Sequence, residues 1–157
     1  MATWGIHHTS LVVSDVDKAL RFYRDGLGLE LVGDVEEQTE RLAQQVEVPG
    51  AWIRCMWLKT PDSNTLLELL EYKNPPGKKF DLCCNDIGAP HVSFLVDDIY
   101  EITEKLKSMG YKPTTEPQDV DPNTQPDAKT IYFRDADGIA VEIFQMCPER
   151  KMNKRFY

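Results

Sequence analysis

The chain has no apolar run long enough to span a membrane, which argues against a transmembrane helix. Its first residues, "MATWGIHHTS", lack the basic and apolar regions of a secretory signal, so a cytoplasmic location is expected. It is short of positive charge. Lys and Arg number 18 against 26 Asp and Glu, a net charge of −8. A nucleic-acid binder needs a basic face, so that class is set aside. The one basic cluster is the tail "PERKMNKRFY", read as a solvated terminal segment. There are four cysteines, Cys55, Cys83, Cys84 and Cys147, and none form a C-x-x-C pair. In a cytoplasmic setting they are expected to be reduced and structural.

What the chain does have is a core's worth of apolar residues, 41% of 157. That is enough for one domain or two small modules sharing a core. It also has an internal repeat. "HTSLVVSDVDKALRFYRDGLGLE" begins at His8 and "HVSFLVDDIYEITEKLKSMGYKP" at His91. Each passes from His through a short apolar run to an Asp seven residues on, Asp15 or Asp98. Each then takes up a helical period. Val16, Ala19, Leu20 and Tyr23 share one helix face; Ile99, Ile102, Leu106 and Met109 share the other's. Gly26 and Gly110 are the stops, 18 residues from the His in one copy and 19 in the other.

Strand patterns follow each helix: "LELVGDV", "AWIRCMWLKT" and "NTLLELLEY", then "YKPTTEP", "KTIYFRD" and "GIAVEIFQM". "RDADG" reads as a hairpin turn. "EEQTERLAQQ" reads as a helical insertion in the first half only, and "DVDPNTQPDAK" as a loop. The fold class is therefore α+β, two tandem β-α-β-β-β modules. Module one covers about 1–74, a linker about 75–85, module two about 86–148 and a tail 149–157, all within a single domain of 157 residues.

Each half also places a glutamate in an apolar strand, Glu68 among leucines and Glu142 between Val141 and Ile143. A carboxylate in such a run is costly unless paired. Arg54 and Lys129 are candidate ion-pair partners. Strand parity suggests another answer. His8, Ser10 and Val12 share a face; so do His91, Ser93 and Leu95. The more apolar faces should meet the helices, turning His8 and His91 away from them and His7 the opposite way. Glu68 and Glu142 can point to the same side as the two histidines. Two neutral imidazoles and two carboxylates balance a 2+ ion and would remove the cost of burying the glutamates. Zinc, nickel, cobalt, manganese and iron(II) all suit such N/O ligation.

"IHHTSLVVSDVDKALRFYRDGLGLE", "LLELLEY", "PHVSFLVDDI" and "FRDADGIAVEIFQ" together resemble the vicinal oxygen chelate superfamily over nearly the whole chain. Its members include glyoxalase I, methylmalonyl-CoA epimerase, extradiol dioxygenases, fosfomycin-resistance enzymes and bleomycin-binding proteins. The resemblance implies a U-shaped, incomplete barrel around one divalent metal held by His8, Glu68, His91 and Glu142. It implies a small-molecule substrate with neighbouring oxygens, a lyase or isomerase reaction with Glu142 or Glu68 as the base, and a homodimer. In glyoxalase I an Arg follows the first His by four positions and an Asn follows the first Glu by four. Val12 and Tyr72 stand there in this chain, and "ELLE" from Glu68 is closer to the epimerase branch. The alternatives are a dioxygenase, which uses a three-ligand facial triad, and a sequestering protein with Trp52, Trp57, Tyr132 and Phe144 as pocket walls.

Overall fold

The computed structural model describes residues 3, 5–61, 63–121 and 125–146. The basic tail and Cys147 lie outside the described residues. The chain divides into two compact units, Met1–Phe80 and Asp81–Tyr157. The boundary falls inside the Pro- and Lys-containing stretch read as a linker.

The first unit has strands β1 (His8–Val12), β2 (Glu30–Glu37), β3 (Trp52–Lys59) and β4 (Leu66–Asn74), in the spatial order β1-β4-β3-β2. β1 runs parallel to β4; the other pairs are antiparallel. The helix α1 (Val16–Leu20) packs on β3 and β4. Asp15 caps it by accepting from the Lys18 N–H at 3.0 Å. The chain then widens into a π-helix, Arg21–Gly26, which buries Phe22 and Tyr23 completely. Here the structure departs from the single regular helix that the periodicity suggested. The insertion is helical over its second part only: Glu36 and Glu37 finish β2, and α2 (Glu40–Gln45) is capped by Thr39, whose hydroxyl accepts from the Leu42 N–H.

The second unit repeats this plan. β5 (His91–Leu95), β6 (Gln118–Asp121), β7 (Gln125–Arg134) and β8 (Ala140–Gln145) lie in the order β5-β8-β7-β6, with β5 parallel to β8. The helix α3 (Ile99–Ser108) packs on β7 and β8 and ends at Gly110, whose φ of 93° is the left-handed turn that glycine adopts without strain. In the "RDADG" turn the Asp135 carboxylate accepts from the Asp137 and Ile139 N–H groups.

One strand is not where the sequence pattern put it. "YKPTTEP" makes only an isolated bridge, Pro113 to Phe133. Pro113 and Pro117 lack the N–H that a ladder needs. The second strand of this unit instead occupies Gln118–Asp121, running into the stretch read as a loop, and β7 starts at Gln125 within that stretch. Its Asp and Gln residues are tolerated because β6 lies at the sheet edge.

The core of each unit lies between helix and sheet. Leu11, Val13, Leu67 and Leu69 are buried there in the first unit, and Val141 and Ile143 in the second. Among the described residues no helix is long and apolar enough to cross a membrane.

Candidate metal centre

Parity holds inside the strands. Leu11 is 2% exposed while its neighbours Ser10 and Val12 are open to solvent, so β1 turns His8, Ser10 and Val12 away from α1. Glu68 lies between buried Leu67 and Leu69 and projects to the same side as His8; in the second unit Glu142, between Val141 and Ile143, projects to the side of its own sheet that carries His91.

Strand register then brings specific side chains together. Ser10 is paired with Glu68 across β1 and β4, and Trp57 faces Glu68 across β3. The Ser10 hydroxyl donates to Glu68 Oε2. The Cys55 thiol donates to Glu68 Oε1 at 3.3 Å. His8 Nε2 lies 3.7 Å from Glu68 Oε2, and its ring meets Trp57 edge-on at a centroid distance of 5.1 Å. The Glu68 side chain is 13% exposed. Burial first, then the nearby Glu68 carboxylate, push the Cys55 thiol up to about 12, so it stays a donor.

The second unit carries the same arrangement at the same register. Ser93 is paired with Glu142 across β5 and β8, and Tyr132 faces Glu142 across β7. The Thr130 hydroxyl donates to Glu142 Oε1 at 2.7 Å. The rings of His91 and Tyr132 meet at 6.0 Å. Burial and the Glu142 charge raise the Tyr132 phenol above its ordinary range, so it too remains protonated. Counting from the glutamates, Cys55 and Thr130 occupy equivalent places, as do Trp57 and Tyr132. Each unit thus presents one half-site: an imidazole, a carboxylate, an aromatic ring against the imidazole and a neutral donor on the carboxylate. Cys55 and Thr130 were missed from sequence, because their equivalence depends on pairing with β4 and β8 rather than on any local motif.

Other expectations need correcting. His7 is not turned away. It precedes β1, so strand parity does not govern it, and its ring lies against both His8 and Trp57. Arg54 and Lys129 do not serve the glutamates: Arg54 pairs with Asp17 and Asp34, and Lys129 with Asp119. Trp52 is held by Glu36 at the end of β3 rather than beside Glu68. Glu71 of "ELLE" accepts from the Val16 N–H at the start of α1 and pairs with Lys73. Gln145 does the same for Ile99 in the second unit.

The surroundings of the half-sites differ. In the first unit α2 closes over the end of the Glu68-bearing face, where Ala43, Ala51 and Ile53 cluster with Leu42, Leu70 and Tyr72. In the second unit a cavity of about 420 Å³ adjoins His91, lined also by Cys84, Thr114, Tyr132 and Ala140. Gly33 on β2 leaves room for the Trp57 indole; a Cβ there would come within 3.1 Å of Trp57 Cδ1.

The donor chemistry fits a divalent cation. Among the described residues neither Glu68 nor Glu142 has a lysine or arginine partner, and each shares its face with an imidazole. Among the described residues, no group of three or more His, Cys, Asp or Glu side chains is gathered for a metal. A half-site supplies two.

Comparison with known proteins bears on this pattern. Residues 5–143 match the family described as the Glyoxalase/Bleomycin resistance protein/Dioxygenase superfamily. A probable lactoylglutathione lyase from Synechocystis is 28% identical over 138 residues, 88% of this chain and 92% of its own. A 2-epi-5-epi-valiolone epimerase from Actinomyces is 22% identical over 145 residues, 90% and 79% of the two chains. Among solved structures, a glyoxalase family protein from Bacillus cereus superimposes with a TM-score of 0.83 at 22% identity, covering 93% of this chain and 96% of that one. A fosfomycin resistance protein from Listeria monocytogenes, solved with Mn(II) and sulfate, gives a TM-score of 0.63 at 16% identity, with 96% and 99% covered.

Proposed function

The chain belongs to the glyoxalase/bleomycin resistance protein/dioxygenase superfamily, and from that membership we propose a metal-dependent lyase or isomerase acting on a small substrate with two neighbouring oxygens, one of them beside an acidic C–H. The observation that carries this reading is the repeated half-site. His8 with Glu68, and His91 with Glu142, stand at the same register in two modules. Two half-sites, from one chain or from two copies of it, make a set of two imidazoles and two carboxylates that neutralises one divalent ion. When bound, that ion supplies Lewis-acid stabilisation of negative charge developing on substrate oxygen.

The remaining work falls to side chains of the protein. A base must be within hydrogen-bond reach of the proton it removes. Glu142 is assigned that role, with Glu68 as the alternative. The Thr130 hydroxyl donates to Glu142 Oε1 at 2.7 Å and orients the carboxylate. Tyr132 faces the same carboxylate across the strands as a protonated phenol. Relatives and neighbours named as a lyase, an epimerase and a Mn(II)-bound resistance protein support the class of reaction and the class of ion.

A second reading, sequestration of an aromatic compound, draws on Trp57 and Tyr132 lying on the glutamate-bearing faces. Elemental analysis of protein purified without added metal separates the two. The enzyme reading expects a stoichiometric divalent ion. It also expects deuterium to enter the C–H position from heavy water, over a panel of 2-oxo, 2-hydroxy and 2-methyl acyl compounds including thioesters. Glu142→Gln should slow that exchange by at least about 100-fold, the ordinary worth of a general base. Metal-free protein that binds aromatic ligands and exchanges nothing establishes sequestration instead. Oxygen uptake with a catechol would establish a dioxygenase.

A further inference from the structure

We propose that His7 is a positioning residue for His8: it holds the His8 imidazole in the tautomer whose Nε2 is unprotonated and free to bind a cation. The inference rests on the metal reading above. His7 Nδ1 and His8 Nδ1 are 2.8 Å apart, so one hydrogen lies between them. A neutral imidazole has a single N–H. If His8 Nδ1 carries the shared hydrogen, His8 Nε2 has only its lone pair. That Nε2 is the nitrogen on the Glu68 side, 3.7 Å from Oε2. The separation is too long for a hydrogen bond, so the carboxylate does not hold a proton on Nε2.

The pair is built to keep this geometry. The His7 carbonyl accepts from the Leu66 N–H at 3.0 Å, which ties its backbone to the start of β4. The two imidazole planes stand at 85°, and the His7 ring also rests edge-on against Trp57. With His8 Nδ1 as the donor, His7 accepts at Nδ1 and carries its own hydrogen on Nε2. Metal-binding histidines are oriented in this way, by an acceptor on the far ring nitrogen. Pro90 precedes His91, so the second module has no imidazole at this place.

The test uses the full-length protein and two variants. His7→Phe keeps a ring against Trp57 but has no acceptor. His7→Gln retains one in its side-chain oxygen. First, imidazole ¹⁵N shifts are read on metal-free protein at a pH where the rings are neutral. Wild-type and His7→Gln His8 should show Nδ1–H, and His7→Phe should shift towards Nε2–H. Second, Zn(II) affinity is measured by chelator competition. His7→Phe should bind about 10–100-fold more weakly, and His7→Gln close to wild type. An Nε2–H tautomer in wild-type His8 overturns the proposal, as does a His7→Phe protein with wild-type affinity. If wild-type protein takes up no metal, the metal reading fails. The tautomer spectrum then decides alone: loss of Nδ1–H in His7→Phe sustains the positioning role, and no change overturns it.

Discussion

Cys55 shows how one residue ties the candidate site to stability. Its thiol is half-buried and donates to Glu68. Burial, then the carboxylate, raise it from 9.0 to about 12. In the unfolded chain the thiol ionises near the lower value. Between the two, the unfolded state has lost its proton and the folded state has kept it. The contribution to stability is therefore complete below pH 9 and shrinks as pH climbs towards 12. Urea midpoints measured from pH 8 to 10.5 should fall more steeply for wild type than for Cys55→Ala; equal slopes would remove Cys55 from the account. Single residues were unevenly legible in the sequence. His8, His91, Glu68 and Glu142 were visible because strand alternation fixes their side from local pattern alone. His7 was misplaced because alternation stops where the strand starts. Cys55 and Thr130 were invisible because their neighbours are chosen by strands distant in the chain.

At the scale of elements, each module ties the N-terminus of its helix to the end of its last strand. Gln145 accepts from the Ile99 N–H at 2.8 Å, and Asp98 accepts from Tyr100 and Glu101. Glu71 and Asp15 fill the same places for α1. These N–H groups have no partner within a helix. Gln145→Ala should therefore cost about 1 kcal/mol, the usual worth of an N-terminal cap. Chemical denaturation should show the loss, and amide exchange should locate it at Ile99; unchanged protection there would refute the cap. The start and end of each helical segment were legible from period, Asp cap and glycine stop, but not the change to a π-helix after Leu20 in the first. The second strand of the second module, β6, was not legible either, because Tyr and Thr in "YKPTTEP" favour a strand by propensity while two prolines deny it the ladder. An edge strand, in turn, accepts a composition that reads as a loop.

At the scale of the whole molecule, metal removal is the informative perturbation. A ligand that binds the folded chain alone stabilises it by about 2.7 kcal/mol at 100 times its Kd. Under the proposed function, a chelator added to protein shown to be loaded should lower Tm clearly, and excess Zn(II) should restore it. An unchanged Tm would argue against glutamates held by an ion. The two-module plan was legible because the repeat recurs at matching positions; the difference between the copies was not, since α2 packs where only tertiary structure shows. That difference has a consequence for how the copies diverged. Positions kept alike in both modules are those that an ion would sense: imidazole, carboxylate, and the ring and donor beside them. Positions that differ are the apolar cover of α2 in one copy and the cavity beside His91 in the other. An ion has no head or tail, so it exerts no pressure for the copies to part. Under the proposed function an asymmetric substrate would, and the α2 cover and the cavity beside His91 are where the modules differ in what they could offer it.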